Sequence, residues 1–132
     1  MANSLTHKAE EYMLTGNGAD GSFARLATAV RLYTGASIPK KDGTGFTEVA
    51  NGNGYVSGGK AIAIGNWTYE LALSRIVLDD QTWLASGGSI QNIAGAYIVD
   101  GSGNVLAWWE RSLLTLAPGD SLKLDDLFVK LG

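Results

Sequence analysis

The sequence predicts a mainly β protein: an antiparallel, jelly-roll-like β-sandwich with a short N-terminal helix. Three observations carry that expectation. Charged residues make up only 17% of the sequence and glycine fills 18 of 132 positions, a balance that suits strands and tight turns better than helices built on Glu, Lys and Ala. Apolar residues recur with a period of two, which puts them on one face of a strand. Turn signals separate these runs at short intervals, as in all-β domains. With 45% hydrophobic residues the protein is able to bury one core, and it is too short for two ordinary ones.

Leu5, Ala9, Tyr12 and Met13 stand at i, i+4, i+7 and i+8, an apolar stripe on a short helix that Asn3 or Ser4 caps. The run TGNGADGS from Thr15 to Ser22 stops it, because glycine adopts backbone angles that other residues resist. Residues 1–22 are thus read as a helical arm and linker, and 23–132 as the sandwich domain. From Leu26 to Tyr33, Val30 and Leu32 alternate against Ala29, Arg31 and Tyr33, which gives the first core strand. A long polar passage, Thr34 to Gly59, offers Phe46 and Val49 as apolar anchors, and loops of this length are usually functional or contact-making. KAIAI, Lys60 to Ile64, reads as a strand with Ile62 and Ile64 on one face. Further short strands fall at Tyr69–Leu73 and Arg75–Leu78. The clearest pattern is a hairpin of Ile93–Val99 and Val105–Ser112 joined by DGSGN. Pro118 and Gly119 then take the second and third places of a type II turn before a strand at Ser121–Leu124, and LFVKL supplies a last strand.

Several chemistries are excluded by residue type. A net charge of −3 gives no basic footprint for a nucleic acid. There is no cysteine, hence no disulfide, thiolate metal site or cysteine nucleophile. No apolar run reaches the length of a membrane span, and the polar start lacks the pattern of a secretory signal. GYVSGGKA, Gly54 to Ala61, nearly matches a phosphate loop, but no buried strand precedes it, a strand-like run follows it, and Ala61 has no hydroxyl for Mg²⁺. DGSGN departs from a calcium loop at Val105 and Arg111, where glycine and a bidentate glutamate are required. His7 is the single histidine and is read as a surface residue. Asp79–Asp80 and Asp125–Asp126 border strands without the polar surroundings that tune a catalytic carboxyl. No catalytic residue, metal or cofactor is expected.

Trp108 and Trp109 are adjacent in a strand and so point to opposite faces. One enters the core of a two-layer structure. The other is covered by the long loop or the arm, or lies at a protein interface, where tryptophan is enriched; a sugar-stacking role is the weaker alternative.

Taken in order, GTGFTEVANGNGYVSGGKAI and IQNIAGAYIVDGSGNVLAWWERSLLTLAPGDSLKLDDLFVKL resemble a family of small bacteriophage virion proteins labelled tail-fibre-like or capsid decoration proteins. The likeness rests on Thr47, Glu48, Val49, Gly52, Gly54 and Tyr55, on Ala94 to Val99, on Leu106 to Trp109, and on Pro118 to Asp120, and spans roughly residues 26 to 131. It implies a non-enzymatic, β-rich component of a phage particle, made in the host cytoplasm and placed on the capsid exterior. The expected partners are the major capsid protein and further copies of the same protein, as a dimer or trimer. A tail-fibre or tail-adaptor module, or a host-glycan-binding module, is the alternative. The candidate contact residues are Leu5 and Tyr12 in the arm, Phe46 and Tyr55 in the loop, and Trp108 and Trp109 in the hairpin.

Overall fold

The computed structural model describes residues 4–7, 9, 22–73 and 75–130. Tyr12, and with it most of the predicted N-terminal helix, lies outside these residues. The described part is mainly antiparallel β. Its elements are β1 (Ser4–Leu5), α1 (Ser22–Leu26), β2 (Ala27–Thr34), β3 (Lys60–Ala61), β4 (Trp67–Glu70), β5 (Arg75–Leu78), β6 (Gln81–Leu84), β7 (Ile90–Asp100), β8 (Val105–Leu116), β9 (Ser121–Leu124) and β10 (Phe128–Val129). Short 3₁₀ turns occupy Ile64–Asn66 and Leu71–Leu73.

Three sheets result: a five-stranded one in the order β1-β8-β7-β2-β3, a three-stranded one, β10-β5-β4, and a two-stranded one, β6-β9. The β7–β8 hairpin is the spine of the large sheet. Its turn is closed by Asp100, whose carboxylate accepts the backbone N–H groups of Ser102 and Asn104 and the Asn104 side-chain amide at 2.9–3.0 Å. This is an Asx-type turn. It uses the acidic residue to satisfy backbone donors, as the hairpin reading of DGSGN requires. The later turn also forms as read: Asp120 N–H donates to Ala117 O at 2.9 Å, and Gly119 has φ +93°.

The alternation predicted in β2 is present. Val30 and Leu32 face a large buried cluster, while Tyr33 faces a second, smaller one on the opposite side. The large cluster also takes Trp67 and Leu78 from β4–β5, Trp83, Leu122 and Leu124 from β6–β9, and Val129 from β10. Both small sheets therefore bury these residues in the same cluster as Val30 and Leu32 of the large one. Burial of this extended cluster is the main stabilising term.

Two local expectations are corrected. Ser4–Leu5 is a strand, not the start of a helix: Ser4 pairs with Trp108 and Leu5 with Ala107 at the open side of β8. The cap falls later, where the Thr6 hydroxyl accepts the Ala9 N–H at 3.2 Å. The strand over Lys60–Ile64 stops at Ala61, because the Asn66 side chain accepts the Ala63 N–H at 2.8 Å and turns the backbone into the 3₁₀ segment. Ile62 is buried as expected, whereas Ile64 is exposed.

Candidate functional site

The long segment between β2 and β3 is where the sequence places contacts, and its geometry divides into two parts. Its second part is locked into the core. Tyr55 is fully buried, and its hydroxyl donates to Glu48 Oε2 at 2.6 Å while accepting the Leu32 N–H of β2 at 3.1 Å. The same Glu48 oxygen accepts the Gly58 N–H at 2.8 Å. Val49 is buried too, and its N–H donates to Leu32 O. One carboxylate, one phenol and two backbone groups thus pin residues 48–58 to the edge of β2. The carboxylate acceptor makes the two bonds to Glu48 stronger than neutral ones.

Its first part, residues 36–45, folds as a flap. Ile38 N–H donates to Gly45 O and Lys40 N–H to Thr44 O, a small hairpin closed by Gly43 N–H to Lys40 O. At its tip the Asp42 carboxylate accepts from the Thr44 hydroxyl and N–H, which hold its carboxyl below the usual range. The His7 N–H donates to Lys41 O and ties the flap to the N-terminal segment. His7 itself is exposed, as expected.

Phe46 joins the two parts and fills the second cluster. Its ring stacks on Tyr97 at 4.9 Å between centroids and meets Tyr33 and Trp108 edge-on at 5.6 and 5.7 Å. Offset-stacked and edge-to-face pairs are the favoured arrangements of aromatic rings. Gly95 allows the last link. A Cβ there would collide with the Tyr33 hydroxyl and the Trp109 carbonyl oxygen, and without it Tyr33 crosses β7 and donates to Trp109 O at 3.2 Å. Burial, and then the charge of Glu110, pushes the Tyr33 phenol up to about 12. Burial likewise raises Tyr97 and Tyr55, the latter helped by its bond to Glu48. These phenols stay neutral near physiological pH and act as hydrogen-bonding struts.

The adjacent tryptophans do point to opposite faces. Trp109 has no exposed surface, lies in the large cluster and donates its indole N–H to Phe128 O at 3.1 Å. Trp108 is 8% exposed and sits in the second cluster against Phe46, so the long loop covers it. Of the other candidate contact residues, Leu5 and Tyr55 are buried and Phe46 is half-buried. These five side chains pack within the protein and offer little surface to a partner.

The large apolar side chains that do face outward were not singled out by pattern. Ile38 is 70% exposed, Val56 67% and Leu113 63%, the three highest values for large apolar side chains among the described residues. Ile38 lies on the flap, Val56 on the other part of the same loop, and Leu113 packs over Gly35 at the loop's start. Between Gly35 and Pro39 on one side and Ala94, Glu110 and Arg111 on the other runs an open cleft of ≈ 200 Å³. That is below the roughly 300–1,000 Å³ of small-molecule sites.

The sequence motifs set aside above resolve into structure. Lys60 begins β3, opposite Val30, with its ammonium 5.2 Å from the centre of the Trp83 ring. Gly59 lies so close to the Val30 carbonyl oxygen that a Cβ would overlap it. Asp80 pairs with Lys123 at 3.2 Å and Asp126 with Arg75 at 3.6 Å. Among the described residues no group of His, Cys, Asp or Glu could hold a metal ion, and no helix is long and apolar enough to cross a membrane. Compared with protein-family models, curated proteins and solved structures, the sequence and fold match none.

Proposed function

We propose that this is a non-enzymatic structural protein of a bacteriophage particle, a capsid decoration or cement protein that binds the major capsid lattice as a dimer or trimer. In this reading its layers form a jelly-roll-like β-sandwich, and the loop between β2 and β3 faces the lattice. The carrying observation is the placement of Ile38, Val56 and Leu113, the most exposed large apolar side chains among the described residues, on or against that one loop. Exposed apolar groups carried on a long contact-making loop are what an interaction surface would use. The resemblance to phage virion proteins supports the same reading, since its TEV and GY residues are those of the Glu48–Tyr55 lock that shapes the loop. Many modest contacts per particle then add through multivalency. The sugar-binding alternative loses its support, because all four tryptophans, Trp67, Trp83, Trp108 and Trp109, are buried.

Particles stripped of the protein and reloaded test the proposal. The wild-type protein should rebind in many copies and restore resistance to heating, while a variant carrying Ile38→Ser, Val56→Ser and Leu113→Ser should fold yet fail to rebind. Rebinding of the variant at wild-type level would overturn the contact surface. Intact heads with lost host adsorption after stripping would move the protein to the tail.

A further inference from the structure

Two Asn-Gly pairs lie close together in the loop, Asn51–Gly52 and Asn53–Gly54, and both asparagines are exposed. The fold treats their backbone nitrogens differently. Gly52 N–H donates to Tyr55 O at 2.7 Å, and Tyr55 N–H returns a bond to Gly52 O at 3.0 Å. Asn53 and Gly54 are therefore the two central residues of a tight turn, with φ +58° and +104°, the positive values that a type I′ turn demands and that Asn-Gly supplies. In that turn the Gly54 N–H has no acceptor among the described residues. Each asparagine side chain makes one bond, Asn51 Oδ1 accepting the Ser57 N–H at 2.9 Å and Asn53 Nδ2 donating to Ser89 O at 3.0 Å, so the contrast between the two pairs rests on the glycine nitrogens.

We infer that Asn53 is a site of spontaneous deamidation and that the fold protects Asn51 two residues away. The Gly54 nitrogen attacks Asn53 Cγ, a new C–N bond closes a five-membered succinimide, and the bond from Cγ to Nδ2 breaks. Ammonia leaves with the proton that Gly54 gives up. Water then opens the ring at one of its two carbonyl carbons, to give aspartate or isoaspartate. Nothing is oxidised or reduced, and no co-reactant besides water is needed. At Asn51 the same attack would first have to break the short Gly52–Tyr55 bond. Glycine at the following position matters because it has no side chain to crowd the ring closure.

The modification would have a local structural result. The Asn53 side-chain amide donates to Ser89 O at 3.0 Å, and Asn53 O accepts the Ser86 N–H at 2.9 Å, so this residue ties the loop to the β6–β7 connection. A carboxylate cannot make the first bond, and isoaspartate lengthens the backbone between the two.

The test is to age the full-length protein in mildly alkaline buffer at physiological temperature, folded and, in parallel, unfolded in urea. Cleavage after Lys41 and Lys60 releases both pairs in one peptide, and fragmentation that distinguishes isoaspartate from aspartate places each conversion. In the folded protein Asn53 should convert several-fold faster than Asn51, and in urea the difference should vanish. Equal or faster conversion at Asn51 in the folded protein would overturn the inference. So would an unchanged Asn53 after the unfolded protein has reacted, or a preference that persists in urea.

Discussion

The two parts of the segment between β2 and β3 meet the rest of the protein in different ways. Residues 48–58 reach the large core: Val49 and Tyr55 are buried in it, and Glu48 ties Tyr55 to Gly58. Residues 36–45 bond mostly among themselves and reach the body through Phe46, the Ser37–Thr47 contacts and the His7–Lys41 bond. A segment of one composition thus contains a plug and a flap. What separates them is where the large side chains fall, because a buried tyrosine must bring partners for its hydroxyl while a surface turn needs only its own backbone.

The sharpest way to expose this asymmetry is to cut each side of the sheet in turn. Trp109→Ala empties a fully buried site and strands the Phe128 carbonyl, and a loss of about 3–5 kcal/mol is expected in denaturant unfolding. Tyr55→Phe keeps the ring but leaves the Leu32 N–H and the Glu48 carboxylate short of a partner, with an expected cost of about 1–3 kcal/mol. Phe46→Ala removes only a half-buried lid, so a loss of roughly 1 kcal/mol and a rise in Trp108 accessibility to a fluorescence quencher are expected.

Alkali probes the flap side without mutation. The Tyr33 phenol, ordinarily at 10.0, is pushed up to about 12 in the folded protein, so the folded state holds its proton longer than the unfolded state. Stability from this group is therefore full below pH 10.0 and is lost as pH rises towards about 12. Phenol ionisation followed by ultraviolet absorbance should coincide with loss of structure in that window. Ionisation of Tyr33 at its ordinary value in a still-folded protein would contradict the buried strut.

Much of this was legible in the sequence, for physical reasons. The β7–β8 hairpin, the PGD turn and β9 show because alternation and turn chemistry agree there. The opposite facing of Trp108 and Trp109 follows from a one-residue step along a strand. β6 was hidden because its hydropathy is inverted at both ends: Gln81 is buried and Leu84 exposed, so QTWL shows no clean alternation. β7 begins at Ile90, three residues before the predicted start, and the left-handed Asn92 (φ +57°) interrupts its pairing with β8. Phe46, Tyr55, Trp108 and Trp109 read as contact residues because sequence cannot tell an aromatic that meets a partner from one that packs within its own fold, and Leu5 because an apolar stripe does not say what covers it. A tyrosine isolated among glycines, with a glutamate seven residues before it, was the available sign of the lock.

Native-state hydrogen exchange, resolved residue by residue, tests the plug and flap most directly. The N–H groups of Val49, Tyr55 and Gly58 should exchange only with the global unfolding that releases β7 and β8, while those of Ile38, Lys40 and Gly43 should exchange through local opening at much lower free energy. If both sets exchange together, or the flap is as protected as the hairpin core, the division of this loop into a core plug and a surface flap is wrong.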